Sequence, residues 1–232
     1  MIPLHDSVPT RTFPVVTLAI IAANVAVWLF YQVPQLERSV VELGFLPCEV
    51  EQSCSDPGVP WPLDAVSAMF AHGGWLHIIG NMLFLWIFGN NVEDAMGRSR
   101  FVVFYFAAGF AATALQAFVT LGLGSPLEAE IPNVGASGAI AGVLGAYFVL
   151  FPLARVIGLV PILFFLIPIE VPAIIFLGLW FLFQLWQGGF SLVAPDVAGG
   201  VAFFAHIGGF VFGLVAVRAF TVRRRPRIAG PW

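Results

Sequence analysis

The sequence predicts an all-α membrane protein, a six-transmembrane-helix bundle with a long outer first loop. Three observations carry that expectation. Of 232 residues, 59% are hydrophobic and only 10% charged, and the mean hydropathy is +0.94, well outside the usage of soluble domains. The apolar residues gather into six runs, at 13–31, 74–88, 101–121, 137–151, 171–186 and 201–220. The arginines fall almost entirely on one side of those runs. Residues 1–220 suit one compact membrane domain, and 221–232 read as a basic cytoplasmic tail.

A full crossing takes about 20 residues, with roughly 17–25 tolerated. The first run meets that length and is not preceded by a basic n-region, so it reads as an uncleaved signal anchor. The segment 32–73 follows, and loops of such size are usually functional or structured. It is acidic and proline-bearing yet apolar at Val40, Val41, Leu43, Phe45, Leu46, Trp61 and Phe70, which suggests a folded lid on the outer face. It also holds the two cysteines, Cys48 and Cys54. On the oxidising side a disulfide and two free thiols are both open readings.

Runs two, four and five are short for a crossing. They need a locally thinned bilayer or shielding by protein at one end. The segment 156–169 is apolar but broken by Pro161 and Pro168, and is expected along the cytoplasmic interface. Glu170 then precedes Pro172. A first-turn proline and a carboxylate at the positive end of the helix dipole make Glu170 a helix-start device rather than a proton carrier.

Arginine sets the direction. Arg11 precedes run one, Arg98 and Arg100 lie between runs two and three, and Arg155 lies between four and five. Arg218, Arg223, Arg224, Arg225 and Arg227 mark the far end of run six, and only Arg38 falls on the other side. By the positive-inside rule both termini are cytoplasmic. The expected location is a cell (inner) membrane crossed several times, with lipid as the surrounding partner. With no lysine and no basic face, nucleic-acid binding is excluded. No metal or cofactor is expected.

Runs two, four and six all travel from outside to inside, so their first thirds share the outer half of the membrane. Run two carries His77 and Asn81 there, run four begins with Ser137, and run six carries His206. A 15-residue helix covers roughly 22 Å of a core about 30 Å thick. If run four reaches the cytoplasmic face, Ser137 lies about 8 Å below the outer one, and His206 comes out at a similar depth.

A nucleophilic serine needs a base within hydrogen-bond reach and donors for the oxyanion that develops. Ser137 and His206 supply the first pair. Ser137 also opens a helix, whose first N–H groups are unpaired. His77 and Asn81 are four apart and share one helix face. No Asp or Glu lies near this depth in any run, so the chemistry read here is a Ser–His dyad without a third acid.

The bland alternative is packing. Glycine and serine in membrane helices most often let backbones approach, and a lone His77 or Asn81 is more often an interhelical hydrogen bond. Convergence of these residues in depth on parallel helices favours a site. For Gly209 and Gly213 packing is itself functional, since run six must approach run four for His206 to reach Ser137.

In this order and spacing the residues resemble the rhomboid intramembrane serine proteases. The match rests on Gly135-Ala136-Ser137-Gly138-Ala139, on Ala205-His206 followed by Gly209 and Gly213, and on His77-x-x-x-Asn81. It extends to Phe70-Ala71-His72-Gly73-Gly74-Trp75-Leu76-His77 and to Gly89-x-x-x-Glu93-x-x-x-Gly97-Arg98. The resemblance implies Ser137 as nucleophile and His206 as general base and then acid. It implies Asn81, His77 and the Ser137 N–H as the oxyanion site, with Gly135, Gly138, Gly209 and Gly213 as packing support. His72 would lie near the cavity mouth and hold water, or else be an interfacial lid residue. Glu93 and Arg98 look structural.

One departure stands out. Some family members place an aromatic four residues after the serine, stacked on the histidine, and here that position is Ala141. The implied reaction is peptide-bond hydrolysis through an acyl-enzyme in transmembrane protein substrates. Those would be single-span proteins cut near their outer end at small residues. Run five and the segment 187–200 are gate candidates, with Gly188, Gly189, Gly199 and Gly200 as hinges or as ordinary turn glycines. Two rivals are a catalytically silent rhomboid-like protein that binds membrane helices, and a small transporter. The first would lack the serine or the histidine. The second would carry inverted repeats or midplane charges, and neither is seen.

Overall fold

The structure, a computed structural model, describes residues 1–55, 59–162, 165–194 and 201–222. The basic tail from 223 onward, Gly199 and Gly200 lie outside the described residues. In chain order, β1 (Ile2–Asp6) precedes α1 (Val15–Val27). The helix continues through a π-helical turn at Trp28–Gln32 and a short tight turn into α2 (Leu36–Leu43), 29 residues in all. Next come α3 (Trp61–Ala68) and a rod made of α4 (Trp75–Phe84), a π-helical turn at Leu85–Gly89, and α5 (Asn90–Met96). Then follow α6 (Arg98–Leu123), the short α7 (Pro126–Ala129) and α8 (Ser137–Leu150). The hairpin β2 (Arg155–Ile162) and β3 (Phe165–Pro172) leads to α9 (Ala173–Val193) and α10 (Phe203–Phe220).

Among the described residues, four helical segments are long and apolar enough to cross a bilayer: Val15–Leu43, Arg98–Leu123, Ala173–Val193 and Phe203–Phe220. A fifth apolar helix, Ser137–Leu150, is shorter. Four helical segments exceed the apolar runs that foretold them, and two of the extensions explain themselves in the packing. The α4–α5 rod goes on past Phe88 because its polar residues have work inside the protein. Glu93, 2% exposed, accepts from Val16 N–H at 3.0 Å and from the N–H and hydroxyl of Thr17, both at 2.8 Å. It thereby caps α1, whose first N–H groups have no partner within their own helix. Next to it, Asp94 accepts from the N–H groups of Arg11 and Thr12 and from the Thr12 hydroxyl.

The second extension corrects the hinge expectation at Gly188 and Gly189. Both lie inside α9, which runs on to Val193. Glycine does not break a helix where lipid or protein leaves the backbone no other hydrogen-bond partner, and Gly188 is buried.

The chain is mostly helical rather than wholly so. A three-stranded antiparallel sheet in the order β1-β2-β3 takes in the segment 156–169 that the sequence placed along the interface. Ile2 pairs with Leu159, Asp6 with Val156, and Arg155 with Pro172. Pro161 and Pro168 forbid a helix, while Val156, Ile157, Val160, Ile167, Ile169 and Val171 favour extended backbone. The hairpin alone would be marginal, and β1 supplies the third strand. This geometry also corrects the role given to Glu170. It lies in β3, opposite Ile157, and pairs with Arg155 Nη1 at 2.9 Å. Helix α9 starts three residues later. β1 is pinned to the helices by Asp6, which accepts from Asn91 Nδ2 at 2.7 Å and from the Tyr147 hydroxyl. Burial pushes the Asp6 carboxyl up to about 6.

Helix α8 is the axis of the molecule. Every residue from Gly138 to Tyr147 is buried, enclosed chiefly by α6 and α10. The sequence Gly138-Ala139-Ile140-Ala141-Gly142-Val143-Leu144-Gly145-Ala146 keeps that axis thin. A methyl at Gly209 would land on the Gly138 carbonyl oxygen, and one at Gly213 on the Gly142 carbonyl oxygen. From the other side, a methyl at Gly145 would strike the Phe210 carbonyl. The two backbones are therefore in direct contact, as small-residue interfaces allow. Below this seam Phe88 meets Tyr147 edge-on at 4.9 Å, and Phe104 packs on Phe212 and Phe220.

The long first loop is folded. Cys48 and Cys54 are joined by a disulfide, which resolves the alternatives left by the sequence. Phe45 is 2% exposed and exchanges two backbone hydrogen bonds with Asn133, at 3.0 and 2.8 Å. Ser55 donates to Glu130. The loop thus braces the segment that leads into α8.

Replacing Gly209 with alanine forces backbone against backbone, where no rotamer change relieves the clash. Overpacking of this kind costs about 1–3 kcal/mol. Thermal unfolding of purified Gly209→Ala is expected at a lower temperature than wild type. An unchanged midpoint would contradict the seam described.

Candidate active site

The seam sets the geometry above it. Ser137 is the first residue of α8 and His206 the fourth of α10. Ser137 Oγ and His206 Nε2 lie 2.8 Å apart, within hydrogen-bond reach. Both residues are half-buried. The N-terminus of α8 has no side-chain cap, since Ala136 holds the capping position. Its first N–H groups are thus left for whatever approaches Ser137.

The turn into α8 requires glycine at 135. Its φ is +130°, a left-handed conformation that other residues rarely adopt. A Cβ there would also lie 2.7 Å from His77 Nε2 and 3.4 Å from Ser137 Oγ. The same crowding shows that His77 Nε2 faces this turn. Gly73 N–H donates to His77 Nδ1 at 3.2 Å, so a neutral His77 keeps its proton on Nε2. The Gly135 N–H donates to the Ala68 carbonyl at 2.8 Å, which ties the turn to the end of α3.

Asn81 follows His77 by four residues on α4. It is 7% exposed, and its Nδ2 finds no acceptor among the described residues. A buried, unpaired donor is expensive and marks a place where a partner is expected. His72 is fully buried and packs edge-on against His77 with ring centroids 5.1 Å apart. Neither of its ring nitrogens meets a described protein partner. Burial, followed by the proximity of His77, pushes His72 down to about 3, so its ring is neutral. Its backbone is clamped by Gln32 of the first helix, whose amide donates to the His72 carbonyl at 3.0 Å and accepts the His72 N–H at 2.8 Å.

A cavity of about 40 Å³ opens beside Ser137, lined in part by Thr113, Gln116, Asn133, Gly135 and Ala205. Since a bound water needs about 10–15 Å³ of such space, it has room for a few. Gln116 Oε1 accepts the Ala205 N–H at 3.2 Å and so fixes the first turn of α10 just ahead of His206.

Sequence reasoning missed several residues around the site. Gln184 of α9 places Oε1 2.8 Å from His206 Nδ1. Trp180, one turn earlier, lies beside the imidazole with centroids 6.0 Å apart. Gln32 and Gln116 act on the neighbouring backbone. For the three glutamines the signal was available, because an amide inside an apolar membrane helix is costly without a partner. Gly138, Gly209 and Gly213 serve the helix seam, and Gly135 serves the turn. Glu93 acts at the far end of the α4–α5 rod, and Arg98 opens α6 as an exposed residue.

A profile of the Rhomboid domain matches residues 61–223, well over half of the chain. The chain belongs to the rhomboid family. It is a multi-pass membrane protein. This rhomboid chain is 31% identical over 202 residues to the human presenilin-associated rhomboid-like protein, mitochondrial, covering 84% of itself and 45% of that protein. To the yeast rhomboid protein 1, mitochondrial, of Saccharomyces cerevisiae, it is 29% identical over 230 residues, 92% of itself and 57% of the relative. A candidate rhomboid protease of Bacillus subtilis, YdcA, is 31% identical over 137 residues, 59% of this chain and 62% of that one. The chain spans about half the length of the mitochondrial relatives it matches.

Proposed function

We propose that this rhomboid is an intramembrane serine endopeptidase that cleaves single-span membrane proteins near the outer membrane face by a Ser137–His206 dyad. The single observation that carries the reading is the 2.8 Å contact from Ser137 Oγ to His206 Nε2 at the uncapped start of α8. A hydroxyl paired with an imidazole beside free backbone donors is the arrangement acyl transfer requires. Membership of a family with named proteases agrees with it.

In the proposed reaction Ser137 Oγ attacks the scissile carbonyl while its proton passes to His206 Nε2. The carbonyl π electrons move onto oxygen, and this oxyanion is met by the Ser137 N–H, His77 Nε2–H and Asn81 Nδ2–H. The tetrahedral intermediate collapses, the C–N bond breaks, and Nε2 returns the proton to the leaving amine. Water then repeats the sequence on the acyl-enzyme, with His206 as base and Ser137 as leaving group. The small cavity beside Ser137, with Thr113, Gln116 and Asn133 in its otherwise largely apolar wall, and the neutral His72 would supply that water. Asn81 suits the oxyanion role because its donor is buried and otherwise unpaired.

For the membrane, the proposal counts six crossings: the helix from Val15, the α4–α5 rod, α6, α8, α9 and α10. The arginine distribution puts both termini on the cytoplasmic side of an inner membrane, with the site open to the opposite face. The buried position of α8 allows a short helix to serve as a span, because protein rather than lipid surrounds it. A catalytically silent helix-binding relative would not need the serine and histidine in contact.

Purified protein is expected to cut a single-span model substrate within its outer half, with the site mapped by mass spectrometry. Ser137→Ala should remove that activity while leaving thermal stability near wild type; cleavage that survives the substitution would end the dyad assignment. Asn81→Ala should lower kcat by roughly 10²–10³, the range for a principal oxyanion donor. Turnover at the wild-type rate would take Asn81 out of that role.

A further inference from the structure

Ala141 stands one turn after Ser137 and is fully buried, so α8 offers no ring to support His206. The imidazole is held from α9 instead. Gln184 is 5% exposed and its Oε1 lies 2.8 Å from His206 Nδ1. An amide oxygen only accepts. The proton of a neutral His206 must therefore sit on Nδ1, which leaves the Nε2 lone pair facing Ser137 Oγ at 2.8 Å. Trp180, four residues before Gln184 on the same helix face, flanks the ring with centroids 6.0 Å apart and planes inclined at 39°. The two side chains fix the ring's tautomer, its tilt and its reach.

We propose that Gln184 is a positioning residue for the reaction, holding His206 in the Nδ1–H tautomer and aimed at Ser137. This rests on the reading of Ser137 and His206 as the dyad. The proton balance is simple. The Oγ proton goes to Nε2 as the Oγ–C bond forms, and the Nδ1 proton stays on the ring, shared with the Gln184 oxygen throughout. When the C–N bond breaks, the Nε2 proton leaves with the amine. Gln184 exchanges no proton. It orients the base, and its oxygen dipole favours the imidazolium that forms transiently. The buried amide thus has a use that offsets its cost at membrane depth.

The test compares purified wild type, Gln184→Ala and Gln184→Glu on one single-span model substrate, with kcat and KM measured from acid to alkaline pH. Gln184→Ala is expected to lower kcat by roughly 10- to 100-fold, the range for partners that orient functional histidines, with KM little changed. Gln184→Glu keeps the acceptor and adds a negative charge, which favours the protonated ring. Its activity should recover well above that of the alanine variant, and the acid limb of its kcat profile should move to higher pH. A purely structural role would lower thermal stability and leave that limb in place. The proposal is overturned if Gln184→Ala turns over at the wild-type rate. It is also overturned if the acid limb of Gln184→Glu coincides with that of wild type, which decides the matter even where the alanine variant fails to fold. In either case wild-type turnover that Ser137→Ala abolishes confines the failure to Gln184. A wild type that cleaves nothing would overturn the protease reading, and this inference with it.

Discussion

The contact on which the structure depends is the seam between α8 and α10, where glycines let two backbones touch. Gly209 lies on the Gly138 carbonyl and Gly213 on the Gly142 carbonyl. Little hydrophobic force draws helices together in lipid, so shape and close packing must do it. Above this seam the helices are near enough for a short side chain on one to reach an imidazole on the other. A larger residue at Gly209 or Gly213 would push the axes of α8 and α10 apart, and the 2.8 Å contact between Ser137 and His206 would lengthen with them. The helix-packing glycines and the site are thus one device.

Other parts of the chain hold the seam in register. On one side the disulfide-closed first loop reaches the approach to α8 through Phe45 and Asn133, and α3 accepts the Gly135 N–H. Gln32 secures His72, and Gln116 secures the start of α10. At the opposite end Glu93 caps α1, while Asp6 joins β1 to Asn91 and Tyr147. The side chains of Gln32, Gln116, Glu93 and Asp6 are buried or half-buried and hydrogen-bonded, which suits an environment where an unpaired polar group is costly.

Much of this was legible in the sequence because lipid imposes strong rules. Apolar runs mark the membrane helices, and helix length and direction alone put Ser137 and His206 at one level. The failures have physical causes. The sheet was hidden because β1 and the hairpin pair across nearly the whole chain, Ile2 with Leu159 and Asp6 with Val156, and prolines at 161 and 168 marked only a break in an apolar segment. Helices α5 and α9 were cut short because hydropathy does not register Glu93 or Asn91 bonded within the protein, or glycines tolerated inside a membrane helix. Gln184 was overlooked for a related reason. Ala141 shows that α8 carries no aromatic support for His206, but nothing in the sequence pattern pairs His206 with α9, from which Gln184 and Trp180 reach the ring.

Covalent labelling tests the central claim most directly. A serine-directed fluorophosphonate should modify Ser137 in the folded wild-type protein, as mapped by peptide mass spectrometry, and His206→Ala should lose that modification while remaining folded. Such a result requires a hydroxyl activated by the imidazole at the head of the seam. Labelling at another residue, or labelling of Ser137 that persists unchanged without His206, would contradict the account.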